Sequence, residues 1–183
     1  MSERPRVDDP TIAPTDEPVA CEPLPATLRA EYLATIRDLL AVDVPVCVIG
    51  SFALLLRGVD LGGYCFTDCD LLLDGSLAVA CRAAERLAAT GHALEVWGVP
   101  LAVPVDPRVL AGKVYFRATR GPADLDLTHE LGEEGLVAQL RSAAPVDGVT
   151  VAAVDAVLAS KRARGTARDL ALLSILQASS PAR

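Results

Sequence analysis

The sequence predicts an α/β or α+β domain, a mixed sheet of about four to five strands flanked by helices. Three observations predict it. Short buried-strand patterns alternate with helical-period patterns from about residue 26 to residue 177. Arg120-Gly121-Pro122 separates two alternating runs, a hairpin signal. No segment recurs elsewhere in the chain, which excludes a repeat architecture.

Each element has its own local reason. Residues 1–24 carry five prolines and little apolar content, and are expected to be a disordered or loosely attached acidic tail. Residues 25–180 are expected to form one domain. From Ala26 the pattern turns helical: Leu28, Tyr32, Ile36, Leu39 and Leu40 share a face, while Arg29, Glu31, Arg37 and Asp38 fall elsewhere. Pro45 limits this helix, and Val46 to Ile49 make the first buried strand. Ser51 to Leu56 form a short helix that Gly58 ends. After the Gly62-Gly63 loop comes a strand from Asp68 to Leu73. Asp74-Gly75-Ser76 is a turn, with Ser76 as N-cap of a helix to about Thr90. That helix buries Leu77, Ala80, Cys81, Ala84, Leu87 and Ala88, exposes Arg82, Glu85 and Arg86, and stops at Gly91. His92 to Trp97 reads as a strand with Trp97 in the core, and Val99 to Arg108, with three prolines, as a loop. Lys113–Thr119 and Ala123–Thr128 are the paired strands of the hairpin. Glu133–Ser142 is helical, and Asp147-Gly148 marks a short strand pair. The last two helices cover about Val154–Ala163 and Ala167–Gln177.

At 183 residues the chain is long enough for one full hydrophobic core. It is 51% apolar, yet no apolar run approaches the ~20 residues of a membrane span. Its start lacks the basic-then-apolar order of a secretory signal, so the expectation is a soluble, cytoplasmic protein with no membrane partner. The net charge of −7 argues against general duplex DNA binding. Residues 1–25 alone hold six acidic and two basic side chains. Lys161, Arg162, Arg164 and Arg168, by contrast, crowd into eight residues, a cationic patch suited to a small polyanion such as a nucleotide. The cysteines at 21, 47, 65, 69 and 81 are odd in number and contain no C-x-x-C. Most of them read as small buried hydrophobes, and together they do not read as a disulfide framework or zinc knuckle. His92 and His129 read as structural or solvent-facing.

The chemistry concentrates in Val44 to Asp74. Asp68 and Asp70 stand two apart on a strand, so both carboxylates face one side and Cys69 and Leu71 face the other. Two carboxylates held together repel each other unless a cation joins them, which points to a hard divalent metal. The Gly50-Ser51 turn opens a helix and offers unpaired backbone N–H groups at a positive dipole end, which suits a phosphate. Metal and phosphate elements on consecutive pieces of one sheet point to phosphoryl or nucleotidyl transfer. A D-x-D pair also occurs in haloacid-dehalogenase-type phosphatases, in nucleotide-sugar glycosyltransferases and in solvated loops. Thr67 fits poorly in the apolar strand of the first, and the second generally needs a longer chain. The absence of G-x-x-x-x-G-K-[ST] excludes a P-loop.

Ile49-Gly50-Ser51, Ala53, Arg57-Gly58 and Thr67-Asp68-Cys69-Asp70-Leu71 together resemble the signature of DNA-polymerase-β-like nucleotidyltransferases. Leu158 to Ala171 resembles the two-helix ending of small bacterial members, among them the abortive-infection (type IV toxin–antitoxin) nucleotidyltransferases. The resemblance covers about Val44 to Leu176. It implies a third carboxylate from a neighbouring strand. Asp126 is favoured for its apolar neighbours, and Asp124, on the same face, is the alternative. It implies magnesium or manganese on Asp68, Asp70 and Asp126, phosphate contacts from Gly50, Ser51, Lys161 and Arg57, and a nucleoside triphosphate such as ATP as donor. The acceptor would be a hydroxyl of a protein, RNA or small molecule, and the toxin branch adds an antitoxin-like partner. The sequence departs from the pattern in a longer loop before Asp68, in lacking a basic residue just before the acidic pair, and in Thr166-Ala167 where Arg-Pro is usual. A catalytically silent copy of the fold, kept for binding or regulation, is the second expectation.

Overall fold

A computed structural model describes residues 24–130 and 134–179. The expected tail therefore lies, apart from Leu24, outside the described residues. In chain order the elements are α1 (Ala26–Leu40), β1 (Cys47–Val48), α2 (Gly50–Leu56), β2 (Asp68–Leu72), α3 (Leu77–Ala89), β3 (Ala93–Val96), β4 (Val99–Pro100), α4 (Pro107–Leu110), β5 (Tyr115–Arg120), β6 (Ala123–Thr128), α5 (Glu134–Arg141), β7 (Ala144–Val146), β8 (Val149–Val151), α6 (Val154–Arg164) and α7 (Ala167–Ser179). The fold is mixed α+β, as expected.

The sheet is larger than expected. It has eight strands in the order β4-β3-β5-β6-β2-β1-β8-β7, against the four to five predicted. The short β7–β8 pair joins the main sheet through β1, because β8 runs parallel to it with Cys47 opposite Thr150. The two-residue strand β4 falls where proline content had predicted only loop. The turn before it is Trp97-Gly98, both at positive φ (51° and 78°). Such a two-residue hairpin turn ordinarily announces itself as Asn-Gly or Asp-Gly, and tryptophan hides it. Trp97 is accordingly 59% exposed instead of in the core, and Lys113 Nζ sits 4.1 Å over its ring.

The core lies on the apolar face of the central strands. β6 alternates strictly: Ala123, Leu125 and Leu127 are buried, while Asp124, Asp126 and Thr128 are half-buried. On β2, Cys69 and Leu71 are fully buried beside half-buried Asp68 and Asp70. α1 packs against β6 and α3, and supplies Tyr32, Ile36 and Leu39, none of them exposed. α3 buries Val79, Ala80, Ala83, Ala84 and Leu87, a stripe displaced from the expected one, which leaves Leu77, Cys81 and Ala88 half-buried. Ser76 stands at its N-cap position without a side-chain capping bond. Cys47 and Cys69 are buried free thiols and Cys81 a half-buried one, while Cys65 is disulfide-bonded and stands outside the small-hydrophobe reading. No helix among the described residues is long and apolar enough to cross a membrane.

Candidate functional site

The carboxylates are placed by strand register. β2 and β6 run parallel, with Asp68 opposite Asp124 and Asp70 opposite Asp126. The alternation that buries Leu125 and Leu127 turns all four acids to the other face. Tyr32 from α1 fastens the start of this pair: its hydroxyl donates to the Thr67 carbonyl and accepts the Asp124 N–H at 3.2 Å. Burial pushes the Tyr32 phenol up to about 12, so it stays a proton donor.

Asp68, Asp70 and Asp126 each offer an oxygen within 4.8 Å of the others. Burial first, then the Asp68 and Asp126 charges, push the Asp70 carboxyl up to about 7, although Lys161 and Arg164 pull the other way. Asp124 stands on the same side, opposite Asp68, but is not a member of this cluster.

Asp70 also explains Gly50. The strand-to-helix turn places Gly50 at φ +66°, and a Cβ there would lie 2.0 Å from Asp70 Oδ2. Glycine is thus required twice, for the backbone angle and for the close approach of the carboxylate. The turn is tied to β2 by the Ile49 N–H, which donates to the Asp70 carbonyl at 3.0 Å. Ser51 is buried and lines the same cleft as the three carboxylates.

The opposite wall comes from α6 and α7. Gly165 ends α6 in the left-handed region (φ +60°), its N–H bonded to the Lys161 carbonyl at 2.9 Å, and the chain reverses into α7. This folds Asp169 back onto α6, where it accepts from Lys161 Nζ at 3.2 Å and from Arg164 at 2.7 and 2.8 Å. The Thr166 hydroxyl donates to Asp169 Oδ2 and accepts the Asp169 N–H, a helix-start bond that needs no Arg-Pro at this place. Arg164, then Thr166 and Lys161, hold the Asp169 carboxyl well below the usual carboxylate range. Lys161 is only 5% exposed, a buried cation on the cleft wall and not a solvated helix residue. Arg168 stands across the mouth, its Nη2 3.9 Å from Asp68 Oδ1.

Two residues change the expected picture. Arg57, expected on phosphate, spans backbone carbonyls instead: Ala144 at 3.0 Å, Val151 at 2.5 Å and Ala152 at 3.2 Å. Carbonyls around the β7–β8 hairpin match the guanidinium's fork of donors, so Arg57 is a strut between α2 and that hairpin. Arg117 was not anticipated. From β5, opposite Asp126 in register, it grips both Asp126 oxygens at 2.8 and 2.9 Å. Its Nε also lies 3.2 Å from Asp124 Oδ1, and the Asp126 bond raises the Arg117 pKa. The available signal was pairing register: a two-residue Gly121-Pro122 turn pairs Arg120 with Ala123 and sets Arg117 across from Asp126, whereas the three-residue turn expected from the sequence would set Phe116 there.

The cleft encloses about 350 Å³ between Asp68, Asp70, Asp126 and Arg117 on one side and Lys161, Arg164 and Arg168 on the other. An all-oxygen anionic floor facing a cationic wall can hold a divalent ion together with a polyphosphate. Cys69 lies on the far face of β2 and offers no thiolate to it. No protein-family model and no curated protein matches the chain. Among solved structures it is similar to JHP933 from Helicobacter pylori, at 14% identity and TM-score 0.43 over 76% of this chain. It is also similar to the "putative nucleotidyltransferase from H. pylori", at 15% identity and TM-score 0.41 over 74% of this chain. The chain spans 57% of the length of each of those proteins, and the functional assignment rests on the site itself.

Proposed function

We propose that the chain is a nucleotidyltransferase dependent on magnesium or manganese. It would move a nucleoside monophosphate from a nucleoside triphosphate to a hydroxyl of a protein, RNA or small molecule. The observation that carries this is the convergence of Asp68, Asp70 and Asp126 within 4.8 Å beneath Lys161, Arg164 and Arg168.

The residues fit a hard divalent ion. The donors are all carboxylate oxygens, and burial together with their crowding leaves Asp70 part-protonated near neutrality until a cation joins them. Asp68, Asp70 and Asp126 would hold the ion, which when bound supplies charge neutralisation on the triphosphate and activation of the attacking hydroxyl. Lys161, Arg164 and Arg168 offset the remaining phosphate charge, and the Ser51 hydroxyl donates to a phosphate oxygen. In the transfer the acceptor oxygen bonds to the α-phosphorus and the bond to pyrophosphate breaks. The hydroxyl proton passes to a carboxylate oxygen. Arg117 fixes the orientation of Asp126. The nucleotidyltransferase resemblance makes ATP one candidate donor, and its abortive-infection branch adds an antitoxin-like protein as a candidate partner.

One observation favours the silent-module reading. Arg117 occupies both oxygens of Asp126, so a cation already stands where a metal would share that carboxylate. The deciding experiment is pyrophosphate release from each of the four common nucleoside triphosphates with magnesium, using candidate RNA and protein acceptors. Release that disappears in Asp70→Asn supports the transferase. Nucleotide binding without release from any combination supports the silent module.

A further inference from the structure

A second cavity of about 340 Å³ adjoins the carboxylate cleft at Asp70. It shares Asp70, Lys161 and Arg164 with the carboxylate cleft, then runs between Gly50 and Thr128 on the sheet side and α5 and α6 above. The two chambers differ in chemistry. The first is walled by charged groups. The second has Ile49, Leu136, Val157 and Ala163 among its walls, with Thr128, Ser160 and Gln139 as its neutral polar groups. Its volume falls in the range of small-molecule sites, roughly 300–1,000 Å³.

Gln139 is the unusual member. It is 3% exposed, and its Oε1 is buried with no hydrogen-bond partner among the described residues. Its Nε2 donates to the Gly135 carbonyl one turn back at 3.4 Å, which leaves the oxygen as the unpaired end. A buried acceptor that no protein donor meets takes its hydrogen from water or from a ligand, and on the wall of this cavity it is open to either.

We infer that this cavity seats the base of the donor nucleotide, with Gln139 Oε1 accepting a hydrogen from a ring or exocyclic nitrogen of that base. The inference rests on the nucleotidyltransferase assignment above. A nucleotide is charged at one end and flat, neutral and hydrogen-bonding at the other, as are the two chambers. Its phosphates lie against Lys161 and Arg164, the two cations among the three groups common to both. The apolar walls cover the faces of the ring, and Gln139 reads its edge. Gln139 is then a specificity-determining residue, because an unpaired polar wall group penalises a base that presents no N–H there.

The test is calorimetric binding of the four common nucleoside triphosphates, and of inorganic tripolyphosphate, to the full chain with magnesium. The best-binding nucleotide is expected to lose about tenfold in affinity in Gln139→Met, while tripolyphosphate is unaffected. Gln139→Glu, which keeps an acceptor oxygen, is expected to retain the base preference. Should Gln139→Met fail to fold, wild-type protein is titrated with the same nucleotide methylated on its base nitrogens, and a similar loss is expected. Unchanged affinity in Gln139→Met or for the methylated nucleotide, with tripolyphosphate still bound, overturns the base site and leaves the transferase standing. Failure of both tripolyphosphate and every nucleotide to bind overturns the transferase and the base site with it.

Discussion

At the scale of single residues, Asp70 and Gly50 act as one feature. A methyl group at 50 would collide with Asp70 Oδ2 on a backbone already at φ +66°. Gly50→Ala should destabilise the fold by about 1–3 kcal/mol and abolish divalent-ion binding, with Tm and calorimetry as the checks. The raised pKa of Asp70 has a definite sign. In the metal-free fold it titrates at about 7, above its ordinary 3.8, so the folded state binds the proton more tightly than the unfolded chain. That stabilisation is full below about pH 4 and is lost as the pH rises through about 7. The metal-free protein should therefore melt at a lower temperature at pH 8 than at pH 6. Magnesium or Asp70→Asn should remove the difference. An equal pH effect in Asp70→Asn would assign it to another group. The acidic pair itself was legible at this scale, since alternation alone puts Asp68 and Asp70 on one side of a strand. Arg117 and Gln139 were not: Arg117 meets Asp126 only in the exact hairpin register, which a three-residue turn shifts by one, and Gln139 acquires its meaning from a cavity that tertiary packing creates.

Among the elements, the α6–α7 corner governs the cationic wall. Asp169 is 1% exposed and is the shared anchor of Lys161 and Arg164. Asp169→Ala leaves Lys161 buried without this partner and should cost about 3–5 kcal/mol, measured by denaturant unfolding. Arg164→Ala removes an exposed side chain and should cost no more than about 1 kcal/mol. Because Asp169 is held below the usual carboxylate range, its contribution is present at neutral pH and is lost on acidification. Arg57 provides the contrast. Arg57→Ala should lower stability by about 1–2 kcal/mol through the freed carbonyls of the β7–β8 hairpin, with nucleotide affinity unchanged. A selective loss of affinity would return Arg57 to the phosphate. The long strands and every helix but the four-residue α4, which begins inside the expected loop, could be read from periodicity and glycine stops to within a few residues. The strand β4 could not, because Trp97-Gly98 is an unusual sequence for a positive-φ turn and two residues carry no period. The strut role of Arg57 was hidden for a related reason, as its acceptors lie nearly a hundred residues away.

For the whole molecule, an eight-stranded sheet sets two parallel acid-bearing strands at its centre and lays the last helices across their polar face. The acidic cluster and the basic cluster are far apart in sequence, and only this topology makes one cleft of them. Net charge gave no hint of it, since the chain is acidic overall while the wall of its cleft is cationic. The central claim is that Asp68, Asp70 and Asp126 hold a divalent ion jointly with a triphosphate. Calorimetric titration of manganese into the wild-type chain, alone and with a non-hydrolysable nucleoside triphosphate, tests it most directly. Weak binding alone, tightening at least tenfold with the nucleotide and vanishing in Asp70→Asn, is the predicted result. Manganese affinity that ignores the nucleotide, or that survives Asp70→Asn, would contradict it.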